Sequence, residues 1–503
     1  MRPAEPAVSI PQITTDAGKV TRGQFLTLFV AVFLPMFMAA IDQTLLATAT
    51  PAIAASLGGL TDTSWVAVAY LLSSAAVVPL YGRLGDIHGR RDMLVVAVGV
   101  FTLGSLACGL AQSLPQLVVA RVVQGLGGAG LMTLSQALIG ELIAPRERVR
   151  FQGYFAAVFT AASVAGPVLG GIVVSHLSWR WLFFVNLPLA AFAVWRLRQL
   201  PRGEPHPDQA GNHDLLGIAL FAVSAVSGLY WLTSAGHHFP WLSTFSVLLV
   251  AISLVTLGAL VRRERRHPSP FLPVDLLREK AIAFSLVTTS LFAACMFAMV
   301  FFIPIYLQLG HRVSAMHSGL LLLPLTAGMV VGAMATGRFV ARTGRAKWVP
   351  VSGMSLASLA LLLLGALPPQ TLSVGVLGFI AGLGFGTVMP INQVVAQTVA
   401  GRARLGAVTS MISLFRSIGG AAGATIFGAV VYALMPNVDI NSLAQIAAAG
   451  PLPSVTHAFH TAFLVAAFAA AMAAFAASRV PAVSLWQPNI ATPITETERI
   501  SRQ

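Results

Sequence analysis

Fourteen apolar segments, each long enough to cross about 30 Å of hydrocarbon, follow one another along the chain and limit its fold more than any other feature. They lie near residues 24–48, 65–82, 93–112, 116–140, 152–175, 181–199, 214–235, 242–261, 282–308, 316–340, 348–367, 372–399, 406–434 and 457–478. Inside lipid each segment must satisfy its own backbone N–H and C=O groups, so such a chain folds as a bundle of helices. Only 10% of its residues are charged and 56% are hydrophobic, whereas soluble domains carry about 25% charged residues. An ordinary soluble fold is excluded, and no connection is long enough to hold a folded soluble domain.

The formal net charge of +14 would suggest nucleic acid as the partner of a soluble protein. Here it has a topological cause. With the spans drawn as above, one side of the membrane receives Arg2, Lys19 and Arg22; Arg83, Arg90 and Arg91; Arg146, Arg148 and Arg150; Arg196, Arg198 and Arg202; Arg262, Arg263, Arg265, Arg266, Arg278 and Lys280; Arg338, Arg342, Arg345 and Lys347; Arg402 and Arg404; and Arg479, Arg499 and Arg502. Cytoplasmic loops collect Lys and Arg, so this side is the cytoplasm, both termini lie there, and the number of helices is even. Arg180 and Arg312 fall in or beside outer loops. Arg121 and Arg416 fall within spans and need a reason of their own; Arg416 reads as a packing or cytoplasmic-side contact. The first twenty residues are polar, and no removable signal peptide is read in them, so the first span is the insertion signal. Cys108 and Cys295 each sit in an apolar run, which argues against a disulfide framework and a metal site. Neither a phosphate-binding Gly-Lys-Ser/Thr loop nor a nucleophile–base arrangement emerges, so ATP, enzymatic chemistry, cofactors and nucleic acid are not expected.

The chain repeats itself. Gly82-Arg83-Leu84 with Gly89-Arg90 matches Gly337-Arg338-Phe339 with Gly344-Arg345; Gly125-Leu126-Gly127 with Gln136 matches Gly382-Leu383-Gly384 with Gln393; Gly166 and Gly170 match Gly419 and Gly423, all at offsets of about 255 residues. This carries the second span onto the tenth, an even step, so the two units run the same way through the bilayer. The reading is an all-α polytopic membrane protein: a cytoplasmic tail (1–23), a six-helix bundle (24–200), two inserted helices (214–262), a second six-helix bundle (282–479) and a cytoplasmic tail (480–503). Parallel six-helix repeats with a mid-membrane site between them are the geometry of a rocking, alternating-access transporter.

The loop Gly82-Arg83-Leu84-Gly85-Asp86-Ile87-His88-Gly89-Arg90-Arg91, placed between the second and third spans, resembles the signature loop of the major facilitator superfamily. The run Gly166-Pro167-Val168-Leu169-Gly170-Gly171 resembles the antiporter motif of that superfamily, and Ile41-Asp42-Gln43-Thr44 and Arg121-Val122-Val123-Gln124-Gly125 resemble two further motifs of its fourteen-helix drug:proton antiporter branch. Trp65, Tyr70, Trp179-Arg180-Trp181 and Asn186 extend the likeness, which covers nearly the whole chain. The resemblance implies that Gly82, Asp86, Gly89, Arg90 and Arg91 latch the two halves on the cytoplasmic side, against the start of the thirteenth helix near Gly406. It implies export through the motif of Gly166, Pro167, Gly170 and Gly171. The second copy of the loop has Ala341 where Asp86 would recur, so the latch is asymmetric.

Asp42 is the one acid clearly inside a membrane helix, where a charge costs about 3 kcal/mol on insertion scales and marks function by default. By residue count Asp42 and Arg121 both fall toward the outer half, so they can pair, and the pair is the expected proton-coupling switch. Tyr70, Gln124, Gln136, Phe155, Phe159, Phe297, Tyr306, Asn392 and Gln393 are candidates for the substrate pathway, because aromatic and amide surfaces accommodate poorly specified amphipathic ligands. The expected function is proton-coupled export of small amphipathic compounds, with the proton as coupling ion. The alternatives are a dedicated exporter of one endogenous metabolite or antibiotic, and a membrane sensor or scaffold that does not transport. The resemblance implies the plasma membrane (cell inner membrane) and a monomer, with an adaptor protein left open.

Overall fold

The computed structural model describes residues 22–57, 64–201, 214–234, 239–267, 272, 274–311, 315–367, 371–434 and 453–484; the tails carrying Arg2, Lys19, Arg499 and Arg502, and also Arg202 and Arg312, lie outside the described residues. The first half comprises α1 (Arg22–Leu57), α2 (Ser64–His88), α3 (Arg90–Leu110), α4 (Leu114–Leu142), α5 (Pro145–His176), α6 (Trp181–Phe184) and α7 (Asn186–Leu197). Then follow α8 (Leu215–Ser234) and α9 (Thr244–Glu264). The second half comprises α10 (Lys280–His311), α11 (Ala315–Leu320), α12 (Leu323–Thr343), α13 (Trp348–Ala366), α14 (Thr371–Phe385), α15 (Val388–Ala400), α16 (Leu405–Ala433) and α17 (Pro453–Arg479). Among the described residues twelve helical stretches are long and apolar enough to cross a membrane, with α14 and α15 forming one of them. The 32-residue α5 and the shorter apolar pair α6–α7 occupy the other two positions expected.

Three expected spans are broken, each for a local reason. At Phe184–Asn186 the Phe183 carbonyl accepts from Ser105 Oγ at 2.9 Å, and Asn186 Nδ2 donates to the same hydroxyl at 2.9 Å, so the chain is pinned to α3 where it bends. Pro324 opens α12 in its first turn, the position where its missing N–H costs nothing. Between α14 and α15, Thr387 N–H donates to the Gly384 carbonyl at 3.1 Å, a tightened turn, and Gly386 lies directly against the Met329 backbone, leaving no room for a side chain.

Each half has its own buried core. Leu94, Phe101, Leu131 and Leu138 lie in the first, and Phe292, Phe385, Phe459 and Phe463 in the second. The inserted pair is tied together at one end by Asp214, whose Oδ1 caps α8 by accepting from Gly217 N–H at 2.8 Å and from Arg263 Nε at 2.6 Å. Burial works against that carboxylate, but these donors outweigh it and hold Asp214 below the usual carboxylate range. Packing between the halves is itself repeated: α2 meets α16, and α12, the counterpart of α2, meets α5. Both α2 and α12 end at a glycine with positive φ, Gly89 at 91° and Gly344 at 69°, a conformation that side chains with a Cβ resist.

Candidate functional site

Asp42 and Arg121, 79 residues apart, meet because α1 ascends and α4 descends. Arg121 Nη1 donates to Asp42 Oδ2 at 2.6 Å, and the two residues are 4% and 1% exposed, respectively. Gln124, one turn along α4, donates from Nε2 to Asp42 Oδ1 at 2.8 Å and accepts from Arg121 Nη1 at 2.7 Å. Arg121 Nε donates to the Val66 carbonyl at 3.1 Å, and the guanidinium carbon lies 4.4 Å from the centre of the Tyr70 ring. A buried charge is tolerable only when paired and fully hydrogen-bonded, and here both carboxylate oxygens and the guanidinium are engaged. Behind Gln124 stand Ser105, at 3.3 Å from its Nε2, and Cys108, whose Sγ–H points to its Oε1 at 3.5 Å. Neither Ser105 nor Cys108 stands out in sequence, since each is a small residue within the apolar run of α3.

At the far end of α2 the signature loop makes a second set of contacts. Asp86 accepts from the backbone N–H groups of Gly406 at 2.8 Å and Ala407 at 2.9 Å, in the first turn of α16. The helix N-terminus offers these donors and the positive end of its dipole to an anion. Arg90 pairs with Asp86 and, at 2.9 Å, with Glu141, and donates at 2.8 Å to the Arg402 carbonyl. Arg91 donates to the Leu200 carbonyl at 2.8 Å, within the first half. A Cβ on Gly82 would sit 2.5 Å from the Gly406 carbonyl oxygen, so both positions must be glycine for α2 and α16 to approach this closely. In the seam between α12 and α5 Gly337 presses on the Arg150 backbone, where a Cβ would lie 2.8 Å from Cα, and Ala341 occupies the place of Asp86. Between the two seams Gln397 Nε2 donates across the halves to the Gln136 carbonyl at 3.3 Å.

In the antiporter motif Gly166 faces Thr44 of α1, whose Oγ1 donates to the Ala162 carbonyl at 3.1 Å, while Gly171 faces open space; Gly170 is buried, and the Pro167 side chain is outside the described set. A Cβ on Gly166 would lie 2.6 Å from Thr44 Cβ. Overpacking of this kind costs about 1–3 kcal/mol. Gly166→Val is therefore expected to lower the melting temperature of the purified protein clearly and Gly171→Ala to leave it unchanged; equal melting of the two variants would remove close α1–α5 packing as the reason for the motif.

The pathway candidates do not form one group. Tyr70 and Gln124 belong to the Asp42 network. Gln136, Asn392 and Gln393 lie in a buried polar layer, where Asn392 donates to the Ser285 carbonyl at 3.0 Å and Gln393 to Thr409 at 3.2 Å. Phe155 packs on Phe33 in the first core, and Tyr306 is enclosed by Phe459 and Phe463 in the second. Phe159 is exposed and Phe297 half-buried.

Two glycine-lined seams joining two parallel six-helix units, with a charge pair sealed inside one of them, are the architecture of a polytopic membrane transport protein. The family model described as Major Facilitator Superfamily matches residues 32–424, and the chain belongs to that family. It is 34% identical over 420 residues to the multidrug transporter protein MdtP of Bacillus subtilis, covering 83% of this chain and 77% of the relative. It is 31% identical over 433 residues to multidrug resistance protein 3 of the same organism, covering 85% and 83%, respectively. The fold matches the proton:xylose symporter XylE with a TM-score of 0.62 over 91% of this chain and 96% of that one, at 12% identity. The protein is thus a multi-pass membrane transporter of this family and not an enzyme.

Proposed function

We propose that the protein exports small amphipathic compounds from the cytoplasm in exchange for protons, with Asp42 as the proton carrier and Arg121 and Gln124 as the groups that sense its charge. The carrying observation is the sealed Asp42–Arg121–Gln124 network in the outer part of α1 and α4. Protonating Asp42 removes the charge that holds Arg121, and an arginine left unpaired in that place must find a new arrangement. Loss of the network and release of Asp86 from α16 are the two ends of one alternating-access cycle. The Lys and Arg excess on one side of the spans supports a reading with both termini in the cytoplasm, and in this reading the protein works as a monomer in a plasma membrane. Relatives named for efflux, the two Bacillus subtilis proteins among them, support the export direction. A narrower reading, export of one compound made by the same cell, is favoured by likeness to a transporter named for the acurin A biosynthesis cluster.

The test is proton movement in inverted membrane vesicles, followed with a pH-sensitive dye, for wild type and Asp42→Asn at matched expression. Compound-dependent proton release in wild type and none in the variant is the expected result. A variant that responds like wild type would remove Asp42 as the carrier.

A further inference from the structure

Arg416 is a cation within the membrane part of α16 for which the described residues of the second half offer no counter-charge. No Asp or Glu occurs anywhere between Lys280 and Val438, and none of the ion pairs among the described residues includes Arg416. Asp42, the acid of the first span, is already occupied by Arg121. Arg416 lies eleven residues into α16, about 16 Å along its axis, too deep for a lipid headgroup.

The phase of the helix shows which way Arg416 points. Thr409, Ser413, Arg416 and Gly420 follow at i, i+4, i+7 and i+11 and share one face. At its lower end this face meets α15, where Gln393 and Gln397 donate to Thr409 Oγ1 at 3.2 and 3.0 Å. At its upper end it meets α10, where Gly420 leaves space that the Phe297 ring fills. Arg416 therefore looks into the protein and not at lipid, and it is half-buried. Phe297 and Phe301 are paired rings with centroids 6.0 Å apart. Phe301 continues the α10 stripe of Ser290, Ala294 and Phe297 that faces α16, yet it is 54% exposed. The Phe301 ring is therefore left uncovered by α16. A cation with an aromatic wall on its outer side is complementary to a molecule that carries an anionic group on an aromatic frame.

We propose that Arg416 binds the anionic group of the exported compound, so that the substrates include amphipathic aromatic anions such as carboxylates and sulfonates, their rings lying against Phe297 and Phe301. This deepens the export reading and rests on it for the word substrate, but its test does not depend on proton movement. A charged site of this kind discriminates strongly between ligands that differ only in the charge, because each neutral ligand leaves the arginine uncompensated.

The experiment is equilibrium binding of two probes to the full-length protein in nanodiscs, read against empty nanodiscs. The probes are 8-anilinonaphthalene-1-sulfonate and N-phenyl-1-naphthylamine, which is the same frame without the sulfonate. Wild type is expected to bind the sulfonate at least ~10-fold more tightly than the neutral amine, the factor that about 1.4 kcal/mol of discrimination gives. Arg416→Gln is expected to abolish that preference without changing binding of the amine, and Arg416→Lys to keep part of it. Ser413→Asp, which places an acid three residues away on the same face, should abolish the preference with Arg416 intact, and it covers the case in which Arg416→Gln does not fold. Equal affinity of wild type for the two probes, or a preference that survives both Arg416→Gln and Ser413→Asp, overturns the proposal. Failure of compound-dependent proton movement in wild-type vesicles would instead overturn the export reading while leaving this binding result intact.

Discussion

Arg121→Met is expected to destabilise the purified protein by about 3–5 kcal/mol, the range seen when one partner of a buried ion pair is removed. The variant keeps much of the side-chain volume but leaves Asp42 as an uncompensated anion at 4% exposure, with only the Gln124 amide to solvate it. Adding Asp42→Asn to Arg121→Met should recover most of the loss, because an amide can share hydrogen bonds with Gln124 without carrying a charge. Recovery should be incomplete, since Arg121 also binds the Val66 carbonyl and lies on the Tyr70 ring. Melting curves of wild type, the two single variants and the double variant form the cycle that checks this. If the double variant melts no higher than Arg121→Met alone, the two side chains are not energetically coupled, and the switch proposed for them has no basis.

The second large effect concerns the cytoplasmic latch. Asp86→Ala removes a carboxylate that holds two backbone N–H groups of α16 and the Arg90 guanidinium. Hydrogen bonds to a charged group contribute about 1.5–3 kcal/mol each, so even the loss of one or two shifts the closed population by about 10- to 100-fold or more. A cysteine introduced in place of the buried Gln136, beside the cross-half contact with Gln397, reports the change. Its alkylation by a water-soluble maleimide from the cytoplasmic side should be at least ~10-fold faster in the Asp86→Ala background. The native Cys108 and Cys295 are both buried, which keeps the background low. An unchanged alkylation rate would show that the latch does not determine closure.

Much of this architecture was legible before any coordinates, because spans are set by length and charge, and both are local properties of sequence. The repeat offset of the glycines anticipated that α12 would end as α2 does, and the loop around Asp86 anticipated its place at the start of α16. Counting residues from the membrane surface put Asp42 and Arg121 at one level. Counting does not give azimuth, however, and a uniformly apolar helix carries little phase information. For that reason Ser105, Cys108 and the fork made by Gln124 could not be read, nor could the pathway candidates be sorted. Phe155 and Tyr306 fit a lumen by composition and lie in the two cores. The break between α6 and α7 was equally hidden, since it depends on a hydroxyl of α3 about 80 residues away.

The two seams between the halves differ in kind, and that difference gives the motion a direction. Where α5 meets α12, backbone rests on backbone at Gly337 and no carboxylate stands at the place of Asp86, so in the proposed cycle this contact acts as a hinge. Where α2 meets α16, closure depends on one carboxylate, which acts as a bolt. A gate with its hinge on one side and its bolt on the other swings open instead of parting evenly, and its free edge is the α2–α16 side. Helix α8 packs against both α2 and α16. The inserted pair thus stands as a doorpost at the free edge, where a compound dissolved in the inner leaflet would first meet the opening.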